Sequence, residues 1–419
     1  MQAWLDELRR RHLLQDHTAL PDDPRVLGRA YLGIDPTADS LHIGHLAPIQ
    51  LLYHLARWGV EPIIVIGGAT ARIGDPSGKS AERPLLPPET VEANAHALLS
   101  QVQKLLPFPV LVRNNYDWLG PLNLIDFLRE VGKHLTVSYL LSKESMQRRA
   151  ETGLSFTEFS YPLLQAYDFW YLYEREGCRL QVGGSDQWGN ITAGIELIHK
   201  KSGGEAHGLT CPLLTKADGT KFGKTESGNV WLDPQKTSPY QFYQFWLNQA
   251  DADLPKLLGI YSWKSIEEIE GLLAEHAKAP EKRLAQKSLA AEMTGRIHGP
   301  QTAKAVQVVS EVVFGSEALT ALAQAGPEIL HTILREMPHF EVPQSAREEP
   351  LSEVLVRVGF LPSKSETRRL VQQGGLSINK KIVTAAETKL KEYALEGTLE
   401  RFYLLQRGKK HMAWLILRE

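Results

Sequence analysis

The sequence of 419 residues contains only two cysteines, Cys178 and Cys211. Two thiols are too few for a disulfide framework or for a four-cysteine zinc site. Their scarcity favours a reducing, intracellular compartment, and we expect the chain to be cytoplasmic. We expect both thiols to be small buried side chains, not catalytic nucleophiles.

The sequence also lacks any apolar run near the roughly 18 residues that a membrane-spanning helix needs. Its first residues, MQAWLDELRRRHLL, alternate apolar and charged side chains and contain no secretory hydrophobic core. Asp6 and Glu7 argue against a transit peptide. This stretch therefore predicts an amphipathic helix of the mature protein, and we expect no membrane partner.

The chain as a whole has no large excess of charge of one sign, since its net charge is −2. Residues 351–419, however, contain 13 lysines and arginines against 7 acidic residues, whereas the preceding residues contain 34 against 42. A basic C-terminal region on an acidic body predicts a polyanionic partner. On charge alone, a solvated surface that happens to be basic is an equal alternative.

The first half of the chain alternates strand-like and helix-like segments. Continuous apolar runs predict buried parallel strands at AYLGI (30–34), PIIVIGG (62–68), PVLVRNN (109–115) and RLQVGG (179–184). Helical periodicity is present in LAPIQLLYHLARW (46–58) and ITAGIELIHK (191–200). Strands that alternate with helices in this way predict a doubly wound parallel sheet.

The helix that carries residues 46–58 has several start signals. Ser40 and Asp39 are residue types that cap helices, and Pro48 lacks a backbone N–H, so we expect it in the first turn. These signals predict a helix start close to Gly44 and His45. Ligands of doubly wound sheets bind at the carboxyl ends of the strands, which is where Asp35 and the glycine pairs 67–68 and 183–184 fall.

The secondary-structure pattern of the sequence changes at about residue 236. SPYQFYQFWLNQ, SIEEIEGLLAEHA and EKRLAQKSLAAEMTGRIHG are helical in pattern, and strand-like runs disappear. The stretch 336–350 contains three prolines and little periodicity, so it is interpreted as a linker. After it, the pattern predicts a helix, a turn, a second helix and a short pair of strands.

The tetrapeptide HIGH (42–45) places two histidines and a glycine at the predicted helix start. Free N–H groups at a helix N-terminus attract anions, and imidazoles there can donate hydrogen bonds to phosphate oxygens. A metal site is a weaker alternative because we find no third ligand motif. A purely structural role for the pair also stays open.

Two further glycine-rich stretches carry charged residues. GGATARIGDPSGKSAER (67–83) follows a strand but has neither Walker-loop nor dinucleotide spacing. Its Asp75 could bind a cation such as an amino group, or could only form a turn. TKADGTKFGKTESG (215–228) places two lysines on a predicted mobile loop, which suits a polyphosphate. An exposed lysine-rich hairpin is the alternative.

Taken together and in this order, these motifs resemble those of bacterial tyrosyl-tRNA synthetases. HIGH matches the first signature of class I aminoacyl-tRNA synthetases, and KFGKT (221–225) resembles their second signature. The segments that resemble the tyrosine enzymes in particular are YLGIDPTADSLHIGH, GDPSGK, NNYDW, FTEFSYPLLQAYDF and GGSDQWGN. The resemblance covers nearly the whole chain.

The resemblance implies a tyrosine–tRNA ligase reaction in two steps. ATP activates L-tyrosine to tyrosyl-adenylate with release of pyrophosphate, and the tyrosyl group then passes to the 3′ end of tRNA(Tyr) with release of AMP. It implies that Mg²⁺ accompanies the ATP, bound mostly by phosphate oxygens and water, with no dedicated protein metal site. It also implies a homodimer, with Phe156 at the interface, although Phe156 could be ordinary core. DNA is not an expected partner.

Site residues follow from the resemblance by position. Tyr31 and Asp168 match the pair that binds the phenol of tyrosine. The groups that match the surroundings of its ammonium and the rest of the amino acid are Asp75, Tyr161, Gln165 and Gln187. Positions that match the ATP and adenylate site are Gly33, Asp35, Thr37, His42, Gly44, His45 and Asp186. Basic and loop residues that match the phosphate side are Lys79, Arg83, Lys221, Lys224 and Thr225.

For RNA, the expected contacts lie in the basic C-terminal region, at Lys364, Arg368, Arg369, Lys380, Lys381, Arg407, Lys409 and Lys410. We therefore predict an α/β fold: a Rossmann-like doubly wound parallel-sheet catalytic domain, an α-helical domain and a small α+β RNA-binding domain. The predicted boundaries are 1–232 for the catalytic domain with a dimer-forming insertion around 116–175, 233–335 for the helical anticodon-binding domain, 336–350 for the linker and 351–419 for the RNA-binding domain.

Three rival functions remain for this pattern. The related tryptophan enzyme is disfavoured by Tyr31 and Asp168, since an indole has no hydroxyl for them to bind. A small-metabolite nucleotidylyltransferase can carry an HxGH element but would not need a basic RNA-binding tail. A non-catalytic RNA-binding relative is disfavoured by the retention of both histidines and both loop lysines.

Overall fold

The computed structural model describes residues 2–78, 81–82, 84–215, 222–225, 228–314, 338–395, 400–408 and 411–418. Its packing divides the chain into two compact units. Unit 1 consists of residues up to 237 and residues 246–289, and unit 2 consists of residues 238–245 and 290–419.

A five-stranded parallel sheet forms the centre of unit 1. Its strand order is β3-β2-β1-β4-β5. The strands are β1 (Arg29–Ile34), β2 (Glu61–Ile66), β3 (Leu111–Asn114), β4 (Cys178–Gly184) and β5 (His207–Cys211). The first four confirm the strands that the apolar runs predict. β5 is an addition: its sequence HGLTC is too short and too polar at its ends to be recognised from periodicity.

The register of the sheet places two polar side chains next to each other. Tyr31 of β1 pairs with Ile63 of β2 on one side and with Gln181 of β4 on the other. Partner residues in adjacent parallel strands point to the same face of the sheet. Tyr31 and Gln181 therefore lie side by side on one face.

Helices cover both faces of this sheet. In unit 1 they are α1 (Ala3–Arg10), α2 (Ile43–Arg57), α3 (Pro88–Leu105), α4 (Tyr116–Leu119), α5 (Leu124–Glu130), α6 (Val137–Leu141), α7 (Glu144–Thr152), α8 (Phe156–Glu176) and α9 (Trp188–Ser202). The amphipathic N-terminal helix and the helices at 46–58 and 191–200 are confirmed as α1, α2 and α9. Rossmann-like layering follows, with helices on a mostly hydrophobic parallel sheet.

Helix α8 brings most of the predicted substrate residues to the sheet. It begins where Ser155 accepts a hydrogen bond from the backbone N–H of Glu158, and it ends at Gly177 in the left-handed conformation (φ 64°). Its Phe169 packs on the ring of Tyr31 with centroids 5.4 Å apart. This contact holds α8 against β1 next to Asp168, the residue before Phe169.

Residues 246–289 belong to the same compact unit as the parallel sheet. They contain α11 (Leu254–Tyr261) and α12 (Ile266–His276). Buried Arg11 donates hydrogen bonds to the carbonyls of Ser262 (3.3 Å) and Lys264 (2.9 Å) and pairs with Glu7 (2.9 Å). These contacts link the N-terminal helix to this segment.

The chain passes between the units at three points, and two of them lie within helices, namely α10 (Pro239–Leu247) and α13 (Leu284–His298). Unit 2 also contains α14 (Pro300–Phe314), α15 (Leu351–Arg357) and α16 (Lys364–Gln372). The helical patterns beginning at 238, 265 and 281 are thus confirmed as helices.

The C-terminal part of unit 2 is a small sheet with the order β10-β9-β11-β12-β8. Its strands are β8 (His339–Val342), β9 (Leu376–Ile378), β10 (Lys381–Ile382), β11 (Phe402–Arg407) and β12 (His411–Leu417). The predicted helix, turn, helix and strand pair are found as α15, α16, β9 and β10. Part of the predicted linker 336–350 is instead β8, because it pairs in parallel with β12.

Among the described residues, no helix is both long and apolar enough to cross a bilayer. Both cysteines are buried and unpaired. Burial raises the pKa of each thiol to about 12, so neither is a thiolate near neutral pH.

One buried ion pair offers a test of the packing around α8. The guanidinium of Arg149 and the carboxylate of Glu158 are each 3% exposed and are 2.7 Å apart. We expect Arg149→Ala to lower the Tm by roughly 10 °C, because the Glu158 carboxylate would stay buried without its partner. Thermal unfolding followed by circular dichroism measures the effect.

The neighbouring Arg148 provides a matched control, because its ion pair with Glu144 is three-quarters exposed. Arg148→Ala should change the Tm by less than about 2 °C. Equal shifts for the two variants would contradict a stabilising role of the buried pair.

Candidate active site

The carboxyl ends of three neighbouring strands meet at one edge of the parallel sheet. β1 ends just before Asp35, β2 ends before the glycines 67–68, and β4 ends at Gly184. Chain connections leave β1 and β4 towards opposite sides of the sheet, since β1 is followed by α2 and β4 by α9. Such a switch point leaves a crevice that can hold a ligand.

The floor of this crevice contains Tyr31 and Asp168. Both are almost fully buried, with 1% and 4% of their surfaces exposed. The Asp168 carboxylate accepts hydrogen bonds from the indole N–H of Trp118 (2.7 Å) and from the side-chain amide of Asn115 (3.0 Å). The Tyr31 hydroxyl has no hydrogen-bond partner among the described residues.

Burial dominates the ionisation of this pair. It raises the pKa of Asp168 to about 7, against the opposing effect of the hydrogen bonds from Asn115 and Trp118. Burial, reinforced by the charge of Asp168, also raises the pKa of Tyr31 well above its usual value. The crevice floor therefore offers a phenol that keeps its proton and a carboxyl group that titrates near neutral pH.

A chain of hydrogen bonds links the floor to the strand end. The Asn115 amide donates to the Thr70 hydroxyl (2.9 Å), and Thr70 donates to the Asp35 carboxylate (2.7 Å). The Tyr161 hydroxyl donates to the other oxygen of Asp35 (2.8 Å). A Cβ on Gly67 would lie 1.9 Å from Asp35, so only glycine leaves room for this chain.

A second carboxylate, that of Asp75, belongs to the same crevice. It accepts hydrogen bonds from the Gln187 amide (2.7 Å) and from the backbone N–H of Ser77 (2.9 Å). The Gln165 amide in turn donates to Gln187 (3.2 Å). Burial, together with the charges of Asp35, Asp75 and Asp168, raises the pKa of Tyr161 well above its usual value. The predicted amino-acid site residues are thus brought together, with acidic groups around a buried phenol.

The helix α2 begins at the edge of this crevice with its own histidines as caps. The Nδ1 atom of His42 accepts from the backbone N–H of Gly44, and the Nδ1 atom of His45 accepts from that of His42, both at 3.1 Å. An imidazole nitrogen that accepts a hydrogen bond carries no proton, so the proton of each neutral ring is on Nε2. Burial, with a further effect of His42, lowers the pKa of His45 to about 3.

Two details of this helix start differ from the expectation. Ser40 and Asp39 do not cap α2: the Ser40 hydroxyl donates to the carbonyl of Leu41, and Asp39 pairs with Lys236. Pro48 does not lie in the first turn, because α2 already begins at Ile43. The histidines take over the capping since their Nδ1 atoms reach the free N–H groups of the first turn.

The segment around the second signature runs against the start of α2. Its end pairs with the HIGH segment: the N–H of Ile43 donates to Val230 (3.0 Å), and that of Leu232 donates to Leu41 (2.8 Å). A Cβ on Gly223 would lie 2.9 Å from the side chain of Ile43, so glycine permits this close approach. The backbone of Lys224 and Thr225 forms the short strand β6, which pairs with β7 (Gly228–Asn229).

The remaining predicted residues of the crevice are placed as follows. Gly33 and Thr37 are exposed near the end of β1, and the carboxylate of Asp186 lies beside Gly184 and Gly78. Residues outside the described part are Lys79, Arg83 and Lys221, and the side chains of Lys224 and Thr225 are also outside it. Among the described residues, no group of three or more His, Cys, Asp or Glu side chains could hold a metal ion.

The predicted RNA contacts lie in the C-terminal part of unit 2. Three of them, on α16, form exposed ion pairs: Lys364 with Glu353, Arg368 with Glu387, and Arg369 with Glu366. Lys380 and Lys381 lie at the turn between β9 and β10, and Arg407 ends β11. Lys409 and Lys410 lie outside the described residues.

Sequence reasoning missed four residues that build the crevice: Thr70, Asn115, Trp118 and Gln181. Asn115 and Trp118 belong to the quoted NNYDW segment, yet nothing in that segment indicates a link to Asp168. Gln181 is 1% exposed, and its carbonyl oxygen has no hydrogen-bond partner among the described residues. A polar residue in the middle of the apolar run RLQVGG was the available signal.

Two protein families match the chain. Residues 27–315 match the family described as tRNA synthetases class I (W and Y). Residues 328–415 match the family described as the tyrosine–tRNA ligase SYY-like C-terminal domain.

Curated relatives match over nearly the full length. The tyrosine–tRNA ligase of Bacteroides fragilis is 47% identical over 430 residues, which cover 99% of both chains. That of Anaeromyxobacter dehalogenans is 47% identical over 425 residues, which cover 100% of both. That of Geobacillus stearothermophilus is 50% identical over 387 residues, which cover 91% of this chain and 90% of the relative.

Solved structures share the fold over about three quarters of the chain. A C-terminally truncated mitochondrial tyrosyl-tRNA synthetase of Aspergillus nidulans has a TM-score of 0.67 and 31% identity, with 74% of this chain and 94% of that chain covered. A tryptophanyl-tRNA synthetase of Encephalitozoon cuniculi has a TM-score of 0.53 and 15% identity, with 77% and 94% covered. The second likeness concerns the fold alone.

The raised pKa of Asp168 leads to a pH-dependent prediction. In the folded chain this carboxyl group titrates near 7, and in the unfolded chain it titrates near 3.9. The proton therefore stabilises the fold, and this contribution is lost as the pH rises towards 7. We expect Asp168→Asn, which cannot ionise, to gain stability over the wild type at pH 8.

That advantage should shrink by roughly 2 kcal/mol between pH 8 and pH 5.5, because the wild-type carboxyl group becomes protonated in the folded state. Thermal unfolding of both chains without ligands across this range measures the difference. A difference that does not change with pH would show that Asp168 titrates outside this window.

Proposed function

From the premise that the chain belongs to the tyrosine–tRNA ligases of the class I tRNA synthetases, we propose that the crevice in unit 1 activates L-tyrosine with ATP. The product is tyrosyl-adenylate, and the tyrosyl group is then transferred to the 3′ end of tRNA(Tyr) with release of AMP. One observation carries the assignment of the crevice: the buried Tyr31 hydroxyl has no hydrogen-bond partner among the described residues, although the charge of the buried Asp168 acts on it.

The phenol of the substrate would occupy the floor of the crevice. Its hydroxyl would donate to Asp168 and accept from Tyr31, so that each polar group gains a partner in a site closed to water. Phenylalanine would leave the Tyr31 hydroxyl without a partner, and Asp168 would keep only its hydrogen bonds from Trp118 and Asn115. Tyrosyl-tRNA synthetases as a class are a standard example of such rejection, at about 10⁵-fold without an editing step, and this magnitude belongs to the class and does not follow from the present geometry.

The ammonium group of the substrate would lie among acidic and amide groups near the middle of the crevice. Asp75 and the Tyr161 hydroxyl offer acceptors there, and Gln165 and Gln187 hold the Asp75 side of the network. A carboxylate such as that of tyrosine has a pKa near 3.5 and needs no general base to attack the α-phosphate. The chain therefore has to position the reactants and stabilise charge.

The triphosphate would lie at the N-terminus of α2. The two neutral imidazoles can donate from Nε2, and the positive end of the helix dipole favours an anion. Fixed positive charge would come from Lys79, Arg83, Lys221 and Lys224, and Thr225 would add a hydroxyl. The adenylate ribose would lie near Asp186, with Gly33, Asp35, Thr37 and Gly44 lining the ATP side.

Mg²⁺ would accompany the ATP and neutralise part of the phosphate charge. Asp35 and Asp75 already accept hydrogen bonds from protein donors, so they suit positioning better than metal ligation. The cation would thus be held by phosphate oxygens and water.

Unit 2 would bind the tRNA. Its basic C-terminal residues would contact phosphates, and the helical and C-terminal parts together would read anticodon bases by stacking and edge contacts. The ion pairs on α16 are exposed and weak, so the RNA backbone can compete for these cations. We further propose that the chain acts in the cytoplasm.

An apolar surface in the segment 116–175 supports a homodimer. Seven large hydrophobic side chains are at least 38% exposed there: Tyr116, Leu124, Ile125, Leu128, Val137, Leu141 and Phe156. Phe156 is the most exposed of them, at 76%, which disfavours its alternative as ordinary core. Apolar patches of this kind mark interfaces, and a second copy is the occupant that we propose.

The substrate assignment is tested by ATP–pyrophosphate exchange with tyrosine, phenylalanine and tryptophan. We expect exchange with tyrosine only. Asp168→Ala should lower kcat/KM for tyrosine by about 100-fold or more and that for phenylalanine far less, because the lost partner binds only a hydroxyl. An unchanged tyrosine-to-phenylalanine ratio would contradict the assignment.

Lys79→Ala is the control variant, since Lys79 is assigned to the phosphate side. It should lower exchange with either amino acid by a similar factor and leave the ratio unchanged. Rapid exchange with tryptophan by the wild type would instead favour the tryptophan enzyme.

The role of the C-terminal part is tested by a chain that ends at residue 325. We expect this chain to form tyrosyl-adenylate at close to the full-length rate but to charge tRNA(Tyr) at least 100-fold more slowly, because the basic region is absent. Charging measured at several salt concentrations checks the electrostatic cause. Normal charging by the shortened chain would contradict the assignment of the basic region.

A further inference from the structure

The indole of Trp231 lies against the first histidine of the HIGH segment. The ring centroids of Trp231 and His42 are 5.7 Å apart, and the rings meet edge to face at 69°. The His42 ring also lies close to that of His45, with centroids 3.9 Å apart. His42 is thus flanked by two rings, and only one of them belongs to the signature motif.

The backbone holds Trp231 at this position. Its residue forms a β-bridge with His42, and the flanking hydrogen bonds join Val230 to Ile43 and Leu232 to Leu41. The N–H of Trp231 itself donates to the hydroxyl of Thr237 (2.9 Å). Because the bridge fixes both Cα atoms, the indole has little freedom to move away from the imidazole.

A cation also lies close to the indole of Trp231. The ammonium group of Lys236 lies 5.1 Å from the centroid of the Trp231 ring and also pairs with Asp39. Asp39 lies three residues before His42 in the chain. A series of side-chain contacts therefore runs from Asp39 to Lys236, from Lys236 to Trp231 and from Trp231 to His42.

The exit of the lysine-bearing loop is part of the same arrangement. The N–H of Val230 donates to the carbonyl of Gly223 (3.1 Å), within the KFGKT segment, and Trp231 is the next residue. Trp231 thus stands between the end of that loop and the imidazole of His42.

We propose that Trp231 is a positioning residue, which holds the His42 imidazole with its Nε2–H directed at the triphosphate. This inference rests on the proposed role of His42 in ATP activation. The Nδ1 hydrogen bond sets which nitrogen carries the proton but does not by itself fix the tilt of the ring about that bond. The indole edge limits the tilt, and hydrogen bonds that stabilise developing charge depend on such preorganisation.

The test is a double-mutant cycle on ATP–pyrophosphate exchange with the full-length chain. Trp231→Leu should lower kcat about tenfold with the KM for tyrosine unchanged within about twofold, because the amino-acid pocket does not include Trp231. Trp231→Phe, which keeps an aromatic edge, should retain at least a third of the rate. Adding Trp231→Leu to His42→Asn should lower the rate by less than about twofold further.

Three results would overturn the proposal. A full tenfold loss in the His42→Asn background would mean that Trp231 acts independently of His42, for instance by touching ATP itself. An unchanged rate for Trp231→Leu would mean that catalysis does not depend on the contact between the indole and His42. If His42→Asn left the exchange rate unchanged, the proposed role of His42 in ATP activation would be wrong as well. This outcome separates failure of the proposed function from failure of the inference about Trp231.

Trp263→Leu is the matched control for the loss of an indole. Trp263 is also partly buried in unit 1, but it stacks on Tyr53 and donates to Gln50, far along α2 from its first turn. The effect of Trp263→Leu on the exchange rate should not depend on His42. In free energy it should therefore add fully to the effect of His42→Asn. Coupling of Trp263→Leu to His42→Asn as large as that of Trp231→Leu would show general destabilisation of α2 and would overturn the proposal.

Discussion

The buried carboxyl group of Asp168 is the constraint on which the crevice of unit 1 depends. Its two hydrogen-bond donors come from Trp118 and Asn115, next to the end of β3, whereas Asp168 itself is carried by α8. Both polar atoms of the Asn115 amide form hydrogen bonds. Its oxygen accepts from the backbone N–H of Ala69, and its nitrogen donates to both Asp168 and Thr70. The orientation of one amide thereby links the floor of the crevice to the carboxylate at the end of β1.

Three side chains of this site stay neutral because they are buried. His45 is uncharged because it is buried, and the Tyr31 and Tyr161 phenols keep their protons for the same reason. A lining of fixed dipoles can hold a polar substrate without the desolvation that a buried charge would require.

Segments far apart in the chain are joined at the start of α2. Residues 41–43 pair with residues 230–232, and α1 ties the same unit to residues 259–264 through Arg11. The HIGH segment is therefore held by backbone hydrogen bonds as well as by its own caps. Residues 246–289 of the same unit also support this helix, because the Tyr261 hydroxyl donates to the carbonyl of Ile43 (3.3 Å).

Four of the five parallel strands and the helix α2 could be predicted from the sequence, because continuous apolar runs and helical periodicity are local signals. It did not reveal β5, the strand β8 within the expected linker, or the capping of α2 by its own histidines. Only the tertiary structure decided which groups pair with Asp168, which nitrogen of His42 carries the proton and which indole lies against it. The reason is physical: pKa values, tautomers and ring contacts depend on burial and on neighbours that are distant in the chain.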